Sequence, residues 1–518
     1  MTVADVEIFK AWGSRLDASP LKYLKNLKEV WASISHLPVF WMLFLFIIIY
    51  GFLLFAFNKI ATQGLQKILL SKGNIFCTLL LILLAGINII PLRGGLQLAP
   101  INQSSVYFSQ NNFSNLAAIN GPWNFMYSLD NDTESGVNPF NYISSREAVL
   151  IKDSLYKANG NVEKIIDLYK TPAPNIIFIV WESFTEKVTA LQKNGVSITP
   201  GFNALKKEGV YFSNIYATGD RTDKGIVAVL SGYPAQPITS ILKIPGKAGK
   251  LPIVSAELSK KGYHNLFYYG GEPEFANMKA YLMQGVYNKF ITEDDFEKKD
   301  QNSKWGAHDG VVSKKLSDDL KTIPHPFFCN WLTLSSHEPF ETPVPTVIRG
   351  KGFESLFLNS LHYTDSIVHE FIQNCKKQSW WNNTIVVIVA DHGHSLPSTG
   401  KKIDDFKIPM LFLGGALTKT GIEINKFGSQ TDLPATLFGL MNYPTKSFNW
   451  SKNLLDSSIH QWAYFSFNNG FGYVEPGKYL IFDNVGKMII EKQGNISGQD
   501  IKKGKAIQQL SFQDYLDK

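Results

Sequence analysis

The sequence predicts an α/β fold on a doubly wound, mostly parallel sheet, with transmembrane helices ahead of it and a small antiparallel subdomain after it. Three observations carry this. Residues 175–183 (NIIFIVWES), 326–340 (PFFCNWLTLSSHEPF) and 384–394 (TIVVIVADHGH) each run apolar and then reach a polar residue able to hold a metal: Glu182, His337, and Asp391 with His392. Short, near-continuous Val/Ile/Phe runs read as strands buried on both faces, as in a parallel sheet under helices. From position 171 onward such runs alternate with helix-like stretches, the pattern of a doubly wound sheet. Ahead of them, residues 37–57 carry no charge over a length that spans a bilayer.

Along the chain, residues 1–36 are amphipathic and mixed in charge, and read as a juxtamembrane segment. Residues 37–57 and 74–90 are two expected spans within 37–91. The segment between them holds Lys59, Lys67 and Lys72 and no acid, which places it in the cytoplasm and the long C-terminal part outside. An N-terminus exported without a signal peptide leads us to expect further spans upstream. Residues 92–170 form a polar connector, with irregular turns from Arg93-Gly94-Gly95 through the Asn-rich stretch 102–120 and a helix over 161–168. Within a catalytic domain at 171–456, further strands are expected at 209–217, 263–269 and 408–414. A helix at 361–375 would turn Leu361, Thr364, Ile367, Val368, Phe371 and Ile372 inward and leave His362 and His369 in solvent. Residues 457–518 hold strands at 464–467, 478–482 and 487–491 and a final helix.

A chain of 518 residues exceeds one core and calls for accessory parts. Its formal charge of +7 is spread out, without the basic stripe that nucleic acid needs, and suits work beside anionic lipid. Cys77, Cys329 and Cys375 lie far apart and form no CxxC pair, which argues against a disulfide framework and a zinc-thiolate site.

Ligands of open α/β sheets sit outside the carboxyl ends of the strands. Carboxylates and imidazole delivered there by several strands point to a hard-metal site. In the segment 217–232 (ATGDRTDKGIVAVLSG), Thr222 stands where a loop turns into a helix. Two readings are open. Thr222 is an N-cap, or it is a nucleophile, ionised by a neighbouring base or metal and helped by the free N–H groups of the helix start.

Taken in order, Glu182 closing a strand, Thr222 in GDRTDKG, His337 in SSHEPF and Asp391-His392 in ADHGH resemble the lipoteichoic acid synthases. They also resemble the wider phosphoglycerol and phosphoethanolamine transferases of the alkaline phosphatase/sulfatase superfamily. The likeness covers residues 171–455. It implies that Glu182, Thr222, Asp391 and His392 bind one divalent cation, manganese first, with zinc or magnesium as alternatives. It implies that Thr222 is the nucleophile and that His337 meets the transferred group. The family's Trp-Gly segment corresponds to Trp305-Gly306 in KWGAHDG, with His308 and Asp309 as further substrate-binding candidates. Arg221 and Lys224 face either phosphate or solvent, and His337 or His394 moves protons. The implied reaction takes a phosphoglycerol- or phosphoethanolamine-type group from a membrane lipid, through a phospho-threonine, to an envelope glycan or lipid acceptor. The implied location is the bacterial cell membrane, in a multi-pass protein whose catalytic domain is extracytoplasmic, with no obligate protein partner. The alternatives are hydrolysis of phosphodiester or sulfate ester at the same site, and an inactive membrane-anchored binding protein. Sulfatases of the formylglycine type need a Cys or Ser in a C/S-x-P-x-R motif, which is absent here.

Overall fold

Runs such as Asn175–Trp181 and Thr384–Ala390 have no polar face, so both sides of each strand must be covered. In the computed structural model every residue of both is buried. The structure describes residues 5–6, 9, 15–16, 39–68, 75–96, 100–109, 111–131, 136–158, 166–169, 173–468 and 470–518.

Eight strands form the main sheet: β1 (Asn175–Trp181), β2 (Val210–Tyr216), β3 (His264–Tyr269), β4 (Lys289–Ile291), β5 (Phe327–Leu332), β6 (Thr384–Ala390), β7 (Lys407–Leu413) and β8 (Ile422–Ser429). They lie in the order β8-β2-β7-β6-β1-β5-β3-β4, and only β7 runs against its neighbours. The fold is therefore α/β and mostly parallel, as expected. The central feature for function is that β1 lies between β6 and β5, parallel to both, with Trp181 level with Ala390 and Val180 level with Leu332. The ends of these three strands thus open on one edge of the sheet.

Eight helices matter below: α1 (Val39–Ile68), α2 (Ile75–Ile87), α3 (Ser145–Tyr156), α4 (Thr222–Ser231), α5 (Asp309–Asp319), α6 (Phe353–Cys375), α7 (Leu433–Leu440) and α8 (Gly498–Asp517). Helices α5 and α6 pack together, as do α4 and α7. Helix α6 begins earlier than its pattern suggested and buries Leu361, Thr364, Val368, Phe371 and Ile372. His362 is not solvated: its Nδ1 lies 3.0 Å from the Ile198 carbonyl.

Strand β8 escaped the sequence reading because a register shift between Ile424 and Phe427 breaks its two-residue period. The small C-terminal sheet is antiparallel, β9 (Ala463–Phe467), β10 (Gly470–Glu475), β11 (Lys478–Asp483) and β12 (Met488–Gln493). Strand β10 is an addition to the expected set; its Gly470 and Gly472 weaken the strand signal. Gly472 sits beneath the Phe465 ring, which a Cβ would meet at 2.0 Å.

Within this sheet, Glu475 accepts hydrogen bonds from Tyr473 (2.6 Å), Lys503 (2.6 Å) and His460 (3.1 Å). Burial pushes its carboxyl up, but these partners outweigh burial and hold it well below the usual glutamate value. A depressed folded-state pKa contributes stability that is present above the ordinary value and lost as the pH falls through the folded one. The melting temperature should thus fall on acidification below about pH 4.5, less steeply in Glu475→Gln; superimposable curves for the two proteins would refute this.

The chain divides into two compact units, Met1–Glu134 and Ser135–Lys518. The expected connector is therefore split. Its second half belongs to the second unit, because Phe140, Ala148, Ile151, Leu155 and Ile166 join the same core as the sheet, and α3 packs on α8. Of the helix expected over 161–168, residues 161–165 lie outside the described residues, and Leu168 makes a bridge with Leu417 instead.

In the first unit, α1 is long and apolar enough to cross a membrane, with a mean hydropathy of 2.2 over Leu43–Thr62. Lys59 and Lys67 lie within that helix rather than in the loop after it. The second apolar stretch, Ile75–Pro91, is shorter. Gly94, at φ 92°, ends the helix Ile89–Arg93, as the RGG sequence suggested, but the Asn-rich stretch contains a regular helix, Asn112–Ala118. Most of the juxtamembrane segment 1–36 lies outside the described residues.

Candidate active site and metal centre

Glu182 follows β1 directly, Asp391 and His392 follow β6, and Thr222 is the first residue of α4. These four positions, scattered through 211 residues of sequence, meet at the sheet edge. Carboxylate oxygens of Glu182 and Asp391 and a ring nitrogen of His392 all lie within 4.8 Å of one another. The Thr222 hydroxyl donates to Glu182 Oε2 at 3.1 Å. The N-cap of α4 is Arg221, with no side-chain cap, so Thr222 does not spend its hydroxyl on the helix. The capping alternative fails on that geometry.

Backbone contacts aim these groups. The Glu182 N–H donates to Thr333 Oγ1 (2.9 Å), and its carbonyl accepts from Ser336 Oγ (2.6 Å). Ser183, at φ 58°, donates its N–H to Asp391 Oδ1 (2.8 Å) and its hydroxyl to Glu182 Oε1 (2.8 Å). Asp391 Oδ1 also takes the His392 N–H (2.7 Å). Helix α4 presses onto the same strand end at Gly225, where a Cβ would meet the Asp391 carbonyl oxygen at 1.9 Å. Gly225→Ala must therefore move α4 or the Asp391 loop, and overpacking of this kind costs about 1–3 kcal/mol or more. Denaturant unfolding should show that loss together with reduced turnover, and a stability equal to the parent's would contradict the close approach.

The residues present suit a divalent cation. Asp391 Oδ2 is buried and has no hydrogen-bond partner among the described residues. The His392 Nδ1–H points to the Gly393 carbonyl at 2.6 Å, leaving Nε2 to face Glu182 Oε1 (3.4 Å) and Asp391 Oδ2 (3.5 Å). A ligating histidine is oriented in just this manner by a bond from its other nitrogen. Burial alone would depress His392, but the Asp391 charge and the Glu182 contact raise it to about 10. Burial pushes Asp391 well up, with the Glu182 charge adding to it. Glu182 is held well below its ordinary value, since the His392 contact outweighs burial. Asp391 and His392 thus hold protons that a cation would displace, while Glu182 is already ionised. The oxygen-rich donor set with one imidazole suits manganese, magnesium or zinc.

These groups open on a cleft of about 590 Å³. Of the substrate-binding candidates, Arg221, His337 and His394 line it. Arg221 is exposed there, whereas the neighbouring Lys224 is tied to Asp220 at 2.9 Å. The Trp305 and His337 rings meet edge to face at 4.7 Å, and the Trp305 indole donates to the Glu338 carbonyl at 2.6 Å. His308 and Asp309 are placed differently. Asp309 is fully buried and accepts from the Leu334 and Ser335 N–H groups and from Thr364 Oγ1. His308, also buried, meets Ser335 Oγ at 3.1 Å. Both therefore brace the turn after β5 that carries His337 and stay off the cleft wall, a correction to the expected substrate contact.

His394 takes the Leu396 N–H on Nδ1 (3.0 Å) and stacks on Phe357 at 4.1 Å. Burial lowers it to about 4, so it is neutral, with its proton on Nε2. Sequence reasoning missed Lys243, Phe275, Lys402 and Asp405 on the cleft wall, because they lie in single 3₁₀ turns of three or four residues, too short to show a period.

The sequence pattern of the sulfatase family matches residues 174–443. The chain belongs to that family. Within it, this sulfatase-family chain is a lipoteichoic acid synthase-like member of the alkaline phosphatase/sulfatase superfamily. It is 26% identical over 361 residues to lipoteichoic acid synthase 2 of Bacillus subtilis, covering 63% of this chain and 54% of that one. To the lipoteichoic acid synthase of Staphylococcus aureus it is 24% identical over 346 residues, covering 62% and 53%. The chain thus spans about half the length of the curated relatives it matches. Among solved structures, a protein of the alkaline phosphatase superfamily from Vibrio parahaemolyticus shares the fold with a TM-score of 0.64 at 21% identity, covering 74% of this chain and 98% of that one. The lipoteichoic acid synthase LtaP of Listeria monocytogenes does so with a TM-score of 0.56 at 19% identity, covering 72% and 98%.

Proposed function

We propose that this chain is a membrane-anchored transferase that moves a phosphoglycerol- or phosphoethanolamine-type group from a lipid to an envelope acceptor through a phospho-threonine. The observation that carries the reading is the Thr222 hydroxyl, at the start of a helix, hydrogen-bonded to Glu182 beside the Asp391–His392 pair. The naming of the curated relatives as lipoteichoic acid synthases supports the substrate class. Residues 171–456 would be the catalytic domain and 457–518 its C-terminal subdomain. Helix α1 would anchor the chain, with 74–90 as a second pass and the catalytic unit outside the bacterial cell membrane.

In this reading Glu182, Asp391, His392 and Thr222 would hold one divalent cation, manganese first, which would supply Lewis acidity at the threonine oxygen and offset charge on the phosphoryl oxygens. Thr222 Oγ1 gives up its proton toward Glu182 and attacks phosphorus. The bond from phosphorus to the diacylglycerol oxygen breaks, and that oxygen takes the proton that Thr222 released, passed on by Glu182. The free N–H groups at the start of α4 stabilise the anionic group that Thr222 then carries. His337 keeps its Nδ1–H on the Glu338 carbonyl (2.8 Å), so its Nε2 is the acceptor for an incoming hydroxyl proton. His394, neutral with its hydrogen on Nε2, donates a fixed hydrogen bond to an oxygen of the group. Attack by the acceptor oxygen on phosphorus breaks the bond from phosphorus to Thr222 Oγ1, which recovers the proton that His337 accepted. Chemistry of the formylglycine type has no residue here, since a threonine stands in the nucleophile's place.

Mass spectrometry of the purified chain, incubated with manganese and candidate phospholipids, tests this directly. The expected result is a peptide containing Thr222 heavier by the transferred head-group phosphate. An unmodified peptide with every lipid, under conditions in which a soluble phosphodiester is turned over, would favour hydrolysis without a lipid donor.

A further inference from the structure

We infer that Gln430 is a positioning residue that ties the strand end carrying Asp391 to the loop carrying Thr222; this rests on the proposed reading of the site as a cation centre. Gln430 is fully buried in the single turn Gln430–Asp432 that follows β8. Its amide nitrogen has two hydrogens, and both are spent on consecutive carbonyls of the metal-bearing strand end: Ala390 at 2.6 Å and Asp391 at 2.7 Å. Its amide oxygen receives the Thr218 N–H at 3.4 Å, four residues before Thr222. One side chain thereby bridges two segments that must keep a fixed separation if Thr222 and Asp391 are to share an ion.

The need for such a bridge follows from the topology. At the end of β6 the ladder with β1 runs out, its last pairing being Trp181 with Ala390. Buried carbonyls beyond that point need partners of another kind. On one side the Asp391 carbonyl is in tight contact with Gly225 of α4, which has no side chain to offer. Gln430 supplies both missing hydrogens from the other side. Its own backbone is fixed in turn. Ser429 and Asp432 form a reciprocal cap, the Ser429 N–H donating to Asp432 Oδ2 at 2.8 Å. Asp432 is paired with Lys452, both fully enclosed, and the Lys452 ammonium also meets the Trp462 carbonyl at 3.0 Å. A buried ion pair is a poor source of stability but a good device for specifying one geometry. Here it specifies where the Gln430 amide points.

Gln430 reaches no cleft atom, so its effect is on where Asp391 and Thr222 stand. The test uses the full chain in detergent and titrates manganese alone, reading free Mn²⁺ by electron paramagnetic resonance without substrate. Gln430→Met keeps the volume and removes all three hydrogen bonds. Gln430→Glu keeps the shape but sets a carboxylate against two carbonyl oxygens. Each should weaken manganese binding by about 10–100-fold, as loss of an outer partner of a metal site does, and lower turnover with little change in KM. Leu437→Ala, a buried α7 variant that leaves these bonds intact, should lose stability yet bind manganese as the parent does. Parent-like manganese affinity in both Gln430 variants would overturn the inference, as would an equal loss in Leu437→Ala. A parent chain that binds no manganese would overturn the reading of the centre itself.

Discussion

Thr222→Ala is expected to abolish turnover of a phosphodiester while leaving the protein folded and still able to take up manganese. Removing a covalent nucleophile lowers turnover by at least roughly 10⁴-fold in comparable enzymes. The fold should tolerate the change, because the Thr222 side chain is only half-buried and does not cap its helix. Cation uptake should fall modestly, since Glu182, Asp391 and His392 keep their relative positions through contacts with Ser183, Thr333 and Gly393. Thr222→Ser separates hydroxyl chemistry from packing. It keeps Oγ but loses the methyl that limits the χ1 choices of a β-branched side chain, so it should retain part of the activity. Turnover equal to the parent's in Thr222→Ala would remove the proposed mechanism altogether.

The second large effect is expected at Asp391. Asp391→Asn preserves an oxygen for the Ser183 and His392 N–H groups, so the loop should keep its course. What changes is the other oxygen, the buried Oδ2 with no hydrogen-bond partner among the described residues, which becomes an NH₂ group that repels a cation and cannot ligate it. Manganese affinity should drop by more than the ~10–100-fold typical of an outer-shell loss. The apo protein should melt at or above the parent's temperature, because a buried carboxylate beside Glu182 is replaced by a neutral group. Calorimetric titration with manganese and thermal unfolding without it measure the two arms separately. Undiminished affinity would place the cation elsewhere.

Much of this was legible in one dimension. The three apolar runs ending at Glu182, before His337, and at Asp391-His392 did become neighbouring strands, because a run without a polar face has few places to go other than a covered sheet. The turn from loop to helix at Thr222 was visible in the pattern Ile226–Leu230 behind it. The role of His308 and Asp309 was not visible. A histidine and an aspartate next to a Trp-Gly pair read as substrate contacts until Asp309 is seen accepting two backbone N–H groups of the turn after β5. The same holds for Thr222, whose local sequence allows a cap as readily as a hydroxyl aimed at Glu182. The bulged β8 and the glycine-bearing β10 were lost for a different reason: a local irregularity hides a period, though it leaves cross-strand pairing intact.

The order of residues alone determined which side chains were available for cation and phosphate chemistry and which regular apolar stretches were strands, since both depend on residue type and near-neighbour spacing. Only the tertiary structure decided that β1 would lie between β6 and β5, that Gly225 would touch the Asp391 carbonyl, and that Gln430 would join the two halves of the centre. Those facts depend on contacts between segments tens to hundreds of residues apart, whose energies arise from packing and hydrogen-bond satisfaction and leave no periodic trace along the chain.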